Sequence, residues 1–298
     1  MSITFDNFTP TADNGVESYG MLIYVGLTSP MPARVKEACM NDDRNSDTKA
    51  ELTLVDIPVD EENRVFASCV PASLDQFMTR TIYCLVLARK KLDADAIVDL
   101  AKIRNITPTE LADDYIPAVA HLIGEMWCED YVGFAHVTIG LSRLQGLLRH
   151  LGPEWVADLV DPTTSQSILL ISPDKAQHTL GAVLLAGQLR RLGFSVRLAL
   201  NPTRDEISEL FDRMSFNATF ISASQSERLE NLRGMIDFLR TQTTAGLPII
   251  VGGGLLKVHD DIAAAVGADL ATSDIDEAIE HCDLTRTDIN SARSTVRM

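Results

Sequence analysis

The chain has 298 residues, a length that suggests two domains, and with 46% hydrophobic and 23% charged residues it can bury a sizeable core. Lys and Arg number 26 against 42 Asp and Glu, a formal charge of -16, so the average surface repels a phosphate backbone and direct nucleic-acid binding is disfavoured. No window approaches the roughly 18 uncharged apolar residues of a membrane span, and "MSITFDNFTPTADNG" lacks the basic region and apolar core of a secretion signal; a cytoplasmic protein without membrane association is expected.

The five cysteines, Cys39, Cys69, Cys84, Cys128 and Cys282, are odd in number, scattered and never in a CxxC pair. Neither a disulfide framework nor a zinc site is suggested.

Residues 1–72 mix Thr, Asn, Asp and Pro with short apolar pieces such as "GMLIYVGL" and "ELTLVDIPV", and read as an N-terminal extension without an assignable fold. From about residue 74 the pattern becomes helical in four segments: "LDQFMTRTIYCLVLARKK", "DADAIVDLAKIRN", "TPTELADDYIPAVAHLIGEMWCED" and "VGFAHVTIGLSRLQGLLRHLG". Thr107-Pro108-Thr109-Glu110 is a helix start signal, with a hydroxyl to cap and Pro in the first turn. Residues 73–153 therefore read as a small helical bundle.

After "DPTTSQ" strands and helices alternate. "SILLI" (167–171), "SVRLAL" (195–200), "ATFISA" (218–223), "LPIIVG" (247–252) and "ADLAT" (268–272) are short and β-rich, and the segments separating them have helical periodicity. Continuous rather than alternating hydrophobicity fits strands buried on both faces of a parallel sheet. Residues 165–285 thus predict a doubly wound, flavodoxin-like (Rossmann-like) α/β domain capped by the preceding bundle, with 286–298 as a C-terminal tail.

Ligands of open parallel sheets bind outside the carboxyl ends of the strands, near the point where strand order reverses. There the sequence puts His178 after the first strand, Ser222 and Ser224 at the end of the third, and Gly252-Gly253-Gly254 at the end of the fourth. In a strand order of 2-1-3-4-5 these three loops line one crevice. A phosphate cradle needs glycine immediately after strand one, as in GxGxxG or GxxxxGK[ST], and neither occurs there. Imidazole stands in its place, a good axial ligand for cobalt or for iron. The glycines permit close approach by a bulky group, so a large metal-bearing cofactor satisfies both facts.

"QHTLGAVLLAGQLRRLGFSVRLALNP", followed by "FISASQS" and "PIIVGGG", resembles the cobalamin-binding domain family, whose signature is D-x-H-x-x-G, then S-x-L or S-x-T, then a GG pair. His178 and Gly181 match the first element, with Thr179 and Leu180 between them; Ser222-Ala223-Ser224 match the second, and Gly252-Gly253, with Gly254 beside them, the third. The resemblance implies that His178 displaces the benzimidazole from cobalt as lower axial ligand, and that the nucleotide tail is buried near the serine and glycine elements. The family's Asp two residues before the His is Ala176 here, with Asp174 and Gln177 nearby. The carboxylate that would polarise the imidazole is missing or displaced, which argues for a protein that is not an enzyme.

"IGEMWCEDYVGFAHVTIGLSRLQGLLR" (123–149) is similar to the helical cap of light-sensing cobalamin regulators, most of all the AerR and PpaA type of photopigment regulators. That resemblance implies Trp127 and His136 near the upper face of the cofactor, with Phe134 packing beside them, although Ala135 stands where the CarH type has a Glu. It further implies an adenosyl-, methyl- or hydroxocobalamin whose bond to cobalt light can cleave, and an anti-repressor that binds a transcription factor of the PpsR/CrtJ type. Two other readings stay open: a haem-binding sensor of the same fold, with His178 serving iron, and a corrinoid shuttle protein for a methyltransferase.

Overall fold

The structure is a computed structural model, and the residues it describes are 59–88, 90–152, 165–173, 179–243 and 246–286. The extension before Val59, the tail after Arg286, and the 174–178 loop with His178 and Ala176 lie outside them. The described chain forms two compact units. One takes the residues up to Thr107 with Ala118–Gly140; the other takes Pro108–Pro117 and the residues from Leu141. The division falls inside a helix, not at the Gly152-Pro153 pair where the composition changes.

The first unit is helical. It opens on α1 (Val59–Cys69), a helix absent from the sequence reading, in which Val65 and Phe66 are buried and the Arg80 guanidinium stacks 4.0 Å over the Phe66 ring. Helix α2 (Gln76–Leu87) is capped by Asp75, whose carboxylate accepts from the Met78 N–H and pairs with Arg104. Helix α3 (Ala94–Ile103) is capped in the same way by Asp93, which accepts from the Ala96 N–H. Helices α4 (Ile116–Cys128) and α5 (Phe134–Leu151) follow. Gly140 lets α5 come close to α2 and α4: a Cβ there would lie 3.1 Å from both Leu87 Cδ2 and Ile123 Cδ1.

The segment expected as one helix over 107–130 is interrupted. A single α turn, Pro108–Glu110, passes into a π turn, Leu111–Tyr115, before α4 resumes. The Ile116 N–H reaches back to the Leu111 carbonyl, five residues away. Pro117 gives the reason: it has no N–H to donate, and its ring would clash with the carbonyl four residues earlier in a regular helix.

The second unit carries the five-stranded parallel sheet that the sequence predicts, in the order β2-β1-β3-β4-β5. Its elements are β1 (Ser167–Ser172), α6 (Thr179–Arg191), β2 (Ser195–Leu200), α7 (Arg204–Arg213), β3 (Ala218–Ser222), α8 (Leu229–Gln242), β4 (Ile249–Gly252), α9 (Ile262–Val266), β5 (Leu270–Ala271) and α10 (Ile275–His281). Alternate side chains of each strand enter two cores. Ile168, Leu170, Phe220 and Ile250 pack with α6 and α10 through Ala186, Leu189, Ala278 and Ile279. Leu169, Ile171, Ile221 and Val251 pack with α7, α8 and α9 through Ile207, Leu232, Ile236 and Ile262.

Strand β4 starts at Ile249, later than the sequence pattern suggests, because Pro248 has no N–H for the ladder. At the sheet edge the fifth strand keeps only two residues. The unit also holds a half-buried ion pair: Asp113 of the π turn meets Arg191 in the last turn of α6. Among the described residues no helix is long and apolar enough to cross a membrane.

Candidate cofactor site

The strand order determines which loops can share a ligand. Strand β1 lies between β2 and β3, and β4 follows β3, so the chain leaves the sheet at Ser172, Ser222 and Gly252 along one carboxyl edge. The order reverses at β1, the strand that precedes α6 in the chain. Thr179 opens α6 and is buried, and its hydroxyl accepts a 2.8 Å hydrogen bond from Gln145 Nε2 on the second half of α5. Leu180 turns into the core beside it. A Cβ on Gly181 would lie 3.8 Å from Ser222 Oγ, so the first turn of α6 stands directly over the end of β3.

Ser222 is half-buried, and Ser224 two residues later has its hydroxyl 2.9 Å from that of Ser226. The glycines have a local structural reason. Gly253 has φ 98° and ψ -164°, a conformation nearly restricted to glycine, and a Cβ there would lie 2.5 Å from the Ala223 carbonyl oxygen. A Cβ on Gly252 would meet the Thr272 carbonyl oxygen at 2.9 Å, and one on Gly254 would meet Gln225 Cγ at 3.0 Å. Bare Cα positions here let the ends of β3, β4 and β5 interlock. The Ala223 N–H donates to the Gly252 carbonyl at 2.9 Å, and the Leu255 N–H to the Ala223 carbonyl at 3.3 Å. The glycine backbone itself stays accessible, with Gly253 exposed.

The residues expected at the upper face lie in the helical unit. Trp127 at the end of α4 and Phe134 at the start of α5 are 45% and 57% exposed, unusual for rings of this size. Their centroids are 6.4 Å apart at 56°, a tilted aromatic pair. His136 is different: it is 7% exposed, turned inward on the first turn of α5. Ile139 is 39% exposed further along α5, about 140° around the helix from Phe134.

One residue at the strand edge escaped the sequence reading. Ser172, the last residue of β1, is 1% exposed, and its hydroxyl has no hydrogen-bond partner. Among the described residues no group of three or more His, Cys, Asp or Glu side chains gathers into a metal site. The described strand edge offers hydroxyls and open backbone.

No known family model matches the chain. Over 190 residues it is 35% identical to the uncharacterized 20.5 kDa protein in the bchF-crtJ intergenic region of Rhodobacter capsulatus, spanning 99% of that protein and 64% of this chain. The chain belongs to that protein's family. Its fold is also that of a solved structure, the monomethylamine corrinoid protein of Methanosarcina barkeri: the TM-score is 0.53 at 12% identity, over 68% of this chain and 93% of that one. At that identity the likeness is one of fold.

Proposed function

We propose that this chain is a corrinoid-binding regulator that acts through a protein partner and is not a catalyst. The observation that carries the reading is the convergence of the β1, β3 and β4 ends on one edge, with a buried hydroxyl without a partner at the end of β1, six residues before His178 in the sequence. The group fits the residues present there. Small side chains occupy the last positions of β1, β3 and β4, Ser172, Ser222 and Gly252, and leave polar atoms for a nucleotide tail. The fold likeness to a corrinoid protein supports the same reading.

When bound, the cofactor would supply a cobalt-carbon bond that light can break. The chain's own part is to hold it. His178 would offer an imidazole nitrogen to the metal, and the Gln145–Thr179 hydrogen bond anchors the first residue of α6, the next in sequence after that histidine. Ser222 and Ser224 would hold the tail through their hydroxyls, and the helical unit exposes an apolar aromatic surface of its own at the Trp127–Phe134 pair. Ala176 stands where the resembled family has the carboxylate that tunes the metal for catalysis, so that carboxylate is missing or displaced to Asp174, which supports binding over turnover. The relative's place between bchF and crtJ supports a partner of the CrtJ repressor type.

The test is purification in the dark, followed by absorption spectra before and after illumination. A corrinoid spectrum that changes on illumination is expected, and His178→Ala should lose most of the bound cofactor. A Soret band without corrinoid absorption, or unchanged cofactor content in His178→Ala, would refute the reading. Trp127→Ala should alter the light response more than total binding. The fold likeness to a corrinoid protein also favours a second reading, a carrier for methyl transfer. It predicts that the methylcobalamin-loaded chain loses its methyl group to a partner methyltransferase in the dark, whereas the regulator predicts no such loss.

A further inference from the structure

Side chains of a parallel strand alternate between its two faces, so the last residue of each strand can be assigned to a layer. Ser172 shares a face with Ile168 and Leu170, Ser222 with Ala218 and Phe220, and Gly252 with Ile250; all of these partners belong to the α6–α10 core. The register sets Ile171 against Ile221 and Ser222 against Gly252. Ser172, Ser222 and Gly252 therefore form one rung across three adjacent strands, at the end of a face otherwise filled with large apolar residues. The first turn of α6 lies over this rung at Gly181, and Gly181 is itself exposed.

Within the rung the Ser172 hydroxyl is enclosed by protein and bonded to none of it. Folded proteins rarely keep such a group without a use, since burying an unmade hydrogen bond is unfavourable. A second such hydroxyl makes a useful contrast. Thr219 Oγ1 is also buried and unpartnered, but Thr219 lies near the start of β3 on the opposite face, shared with Ile221, where no loop leaves the carboxyl edge. Thr219 sits within a packed strand, where its shape is that of a valine. Ser172 ends β1 next to the segment that carries His178.

We propose that Ser172 is a binding residue for the heterocyclic base of a corrinoid nucleotide tail, donating its hydroxyl proton to a ring nitrogen, and that the Ser172–Ser222–Gly252 rung gives the site its preference for corrinoids that carry a tail. This rests on the corrinoid reading above. It adds a ligand group that the motif resemblance does not include, and it accounts for why a wholly buried strand ends in serine.

The experiment uses the full chain, wild type and Ser172→Ala, titrated spectroscopically with aquocobalamin and with cobinamide, which has the same ring and metal but no nucleotide. Wild type should prefer aquocobalamin. Ser172→Ala should weaken aquocobalamin binding about five- to tenfold, the worth of one hydrogen bond to a buried partner, and leave cobinamide binding unchanged. The cofactor-free variant should melt at the wild-type temperature or slightly above it, because the hydroxyl it loses has no partner to miss. An equal loss for both corrinoids, no loss for aquocobalamin, or a variant that melts well below wild type or fails to fold would each overturn the proposal. If wild type binds neither corrinoid, the corrinoid reading itself falls; if it binds both equally, only the role of the rung falls.

Discussion

Gly253→Ala is the most demanding substitution at the strand edge, and its cost can be worked from geometry. The residue sits at φ 98° and ψ -164°, where a residue with a Cβ stores about 1–3 kcal/mol of backbone strain. The new methyl would also arrive 2.5 Å from the Ala223 carbonyl oxygen and 3.1 Å from its nitrogen. Both are backbone atoms, so relief requires moving the end of β3. That motion stretches the hydrogen bonds from Ala223 N to the Gly252 carbonyl and from Leu255 N to the Ala223 carbonyl, each worth about 1 kcal/mol net. The sum is about 3–5 kcal/mol, a large part of the roughly 5–15 kcal/mol that holds a domain folded.

In thermal unfolding followed by circular dichroism this corresponds to a fall in Tm of about 10 °C, at about 2–4 °C per kcal/mol. Gly181→Ala is the matched control. Its Cβ meets nothing closer than Ser222 Oγ at 3.8 Å, and helix propensity favours alanine there, so Tm should hold or rise slightly. A Gly253→Ala protein that melts within about 2 °C of wild type would refute the claim that the interlocked strand ends require this glycine.

Other substitutions probe different parts of the molecule. Gly124 lies inside α4 with nothing within 4 Å of a new Cβ, so Gly124→Ala should stabilise by about 0.5–1 kcal/mol and raise Tm by a few degrees; a fall would mean the site is tighter than it looks. Asp113 and Arg191 are paired with side chains only 21% and 20% exposed, so Asp113→Ala should cost about 1–3 kcal/mol in urea unfolding. A double-mutant cycle with Arg191→Met that gives no coupling energy would show that the pair contributes nothing. Burial, with the charges of Asp269 and Asp283 adding to it, pushes the Cys282 thiol up to about 11 from its ordinary 9.0. The folded protein keeps this proton longer than the unfolded chain does. The contribution to stability is therefore complete below about pH 9 and is lost as pH rises toward 11. At pH 8 a thiol reagent should modify the exposed Cys128 quickly and Cys282 only after unfolding; equal rates would contradict the burial.

Strands β1, β3 and β4 were legible in the sequence because they are buried on both faces and read as apolar runs, whereas β2, with Arg197 and Leu200 exposed, and the two-residue β5 were legible mainly from their place in the alternation. Their order was legible because that pattern belongs to a doubly wound sheet. Helix α1 was hidden: "VDEENR" presents a run of charges, and Val65 and Phe66, which anchor it, are too close together to show a period. The π turn left no signal beyond Pro117, which a linear reading takes as an ordinary residue in the first turn of a helix. His136 and Phe134 looked equivalent in the motif, but two positions along a helix turn a side chain through about 200°, so one is buried where the other is exposed. Ser172 could not be found at all, because what distinguishes it is a missing partner, and only coordinates reveal that.

The π turn at Leu111–Tyr115 has a consequence for how this chain can change over time. A π turn amounts to one residue inserted into a helix, and here it accommodates Pro117, which a regular helix would not. Removing a single residue would leave that proline in place and would rotate everything beyond it by about 100°, the angle per residue of an α-helix. It would turn the apolar face of α4, with Val119, Leu122, Ile123 and Met126, out of register with the core that receives it, while Asp113 would lose its alignment with Arg191. Substitutions along this segment can accumulate one at a time. A change in its length disturbs the α4 core and the Asp113–Arg191 pair at once, so homologous chains are expected to vary here in composition and to agree in spacing.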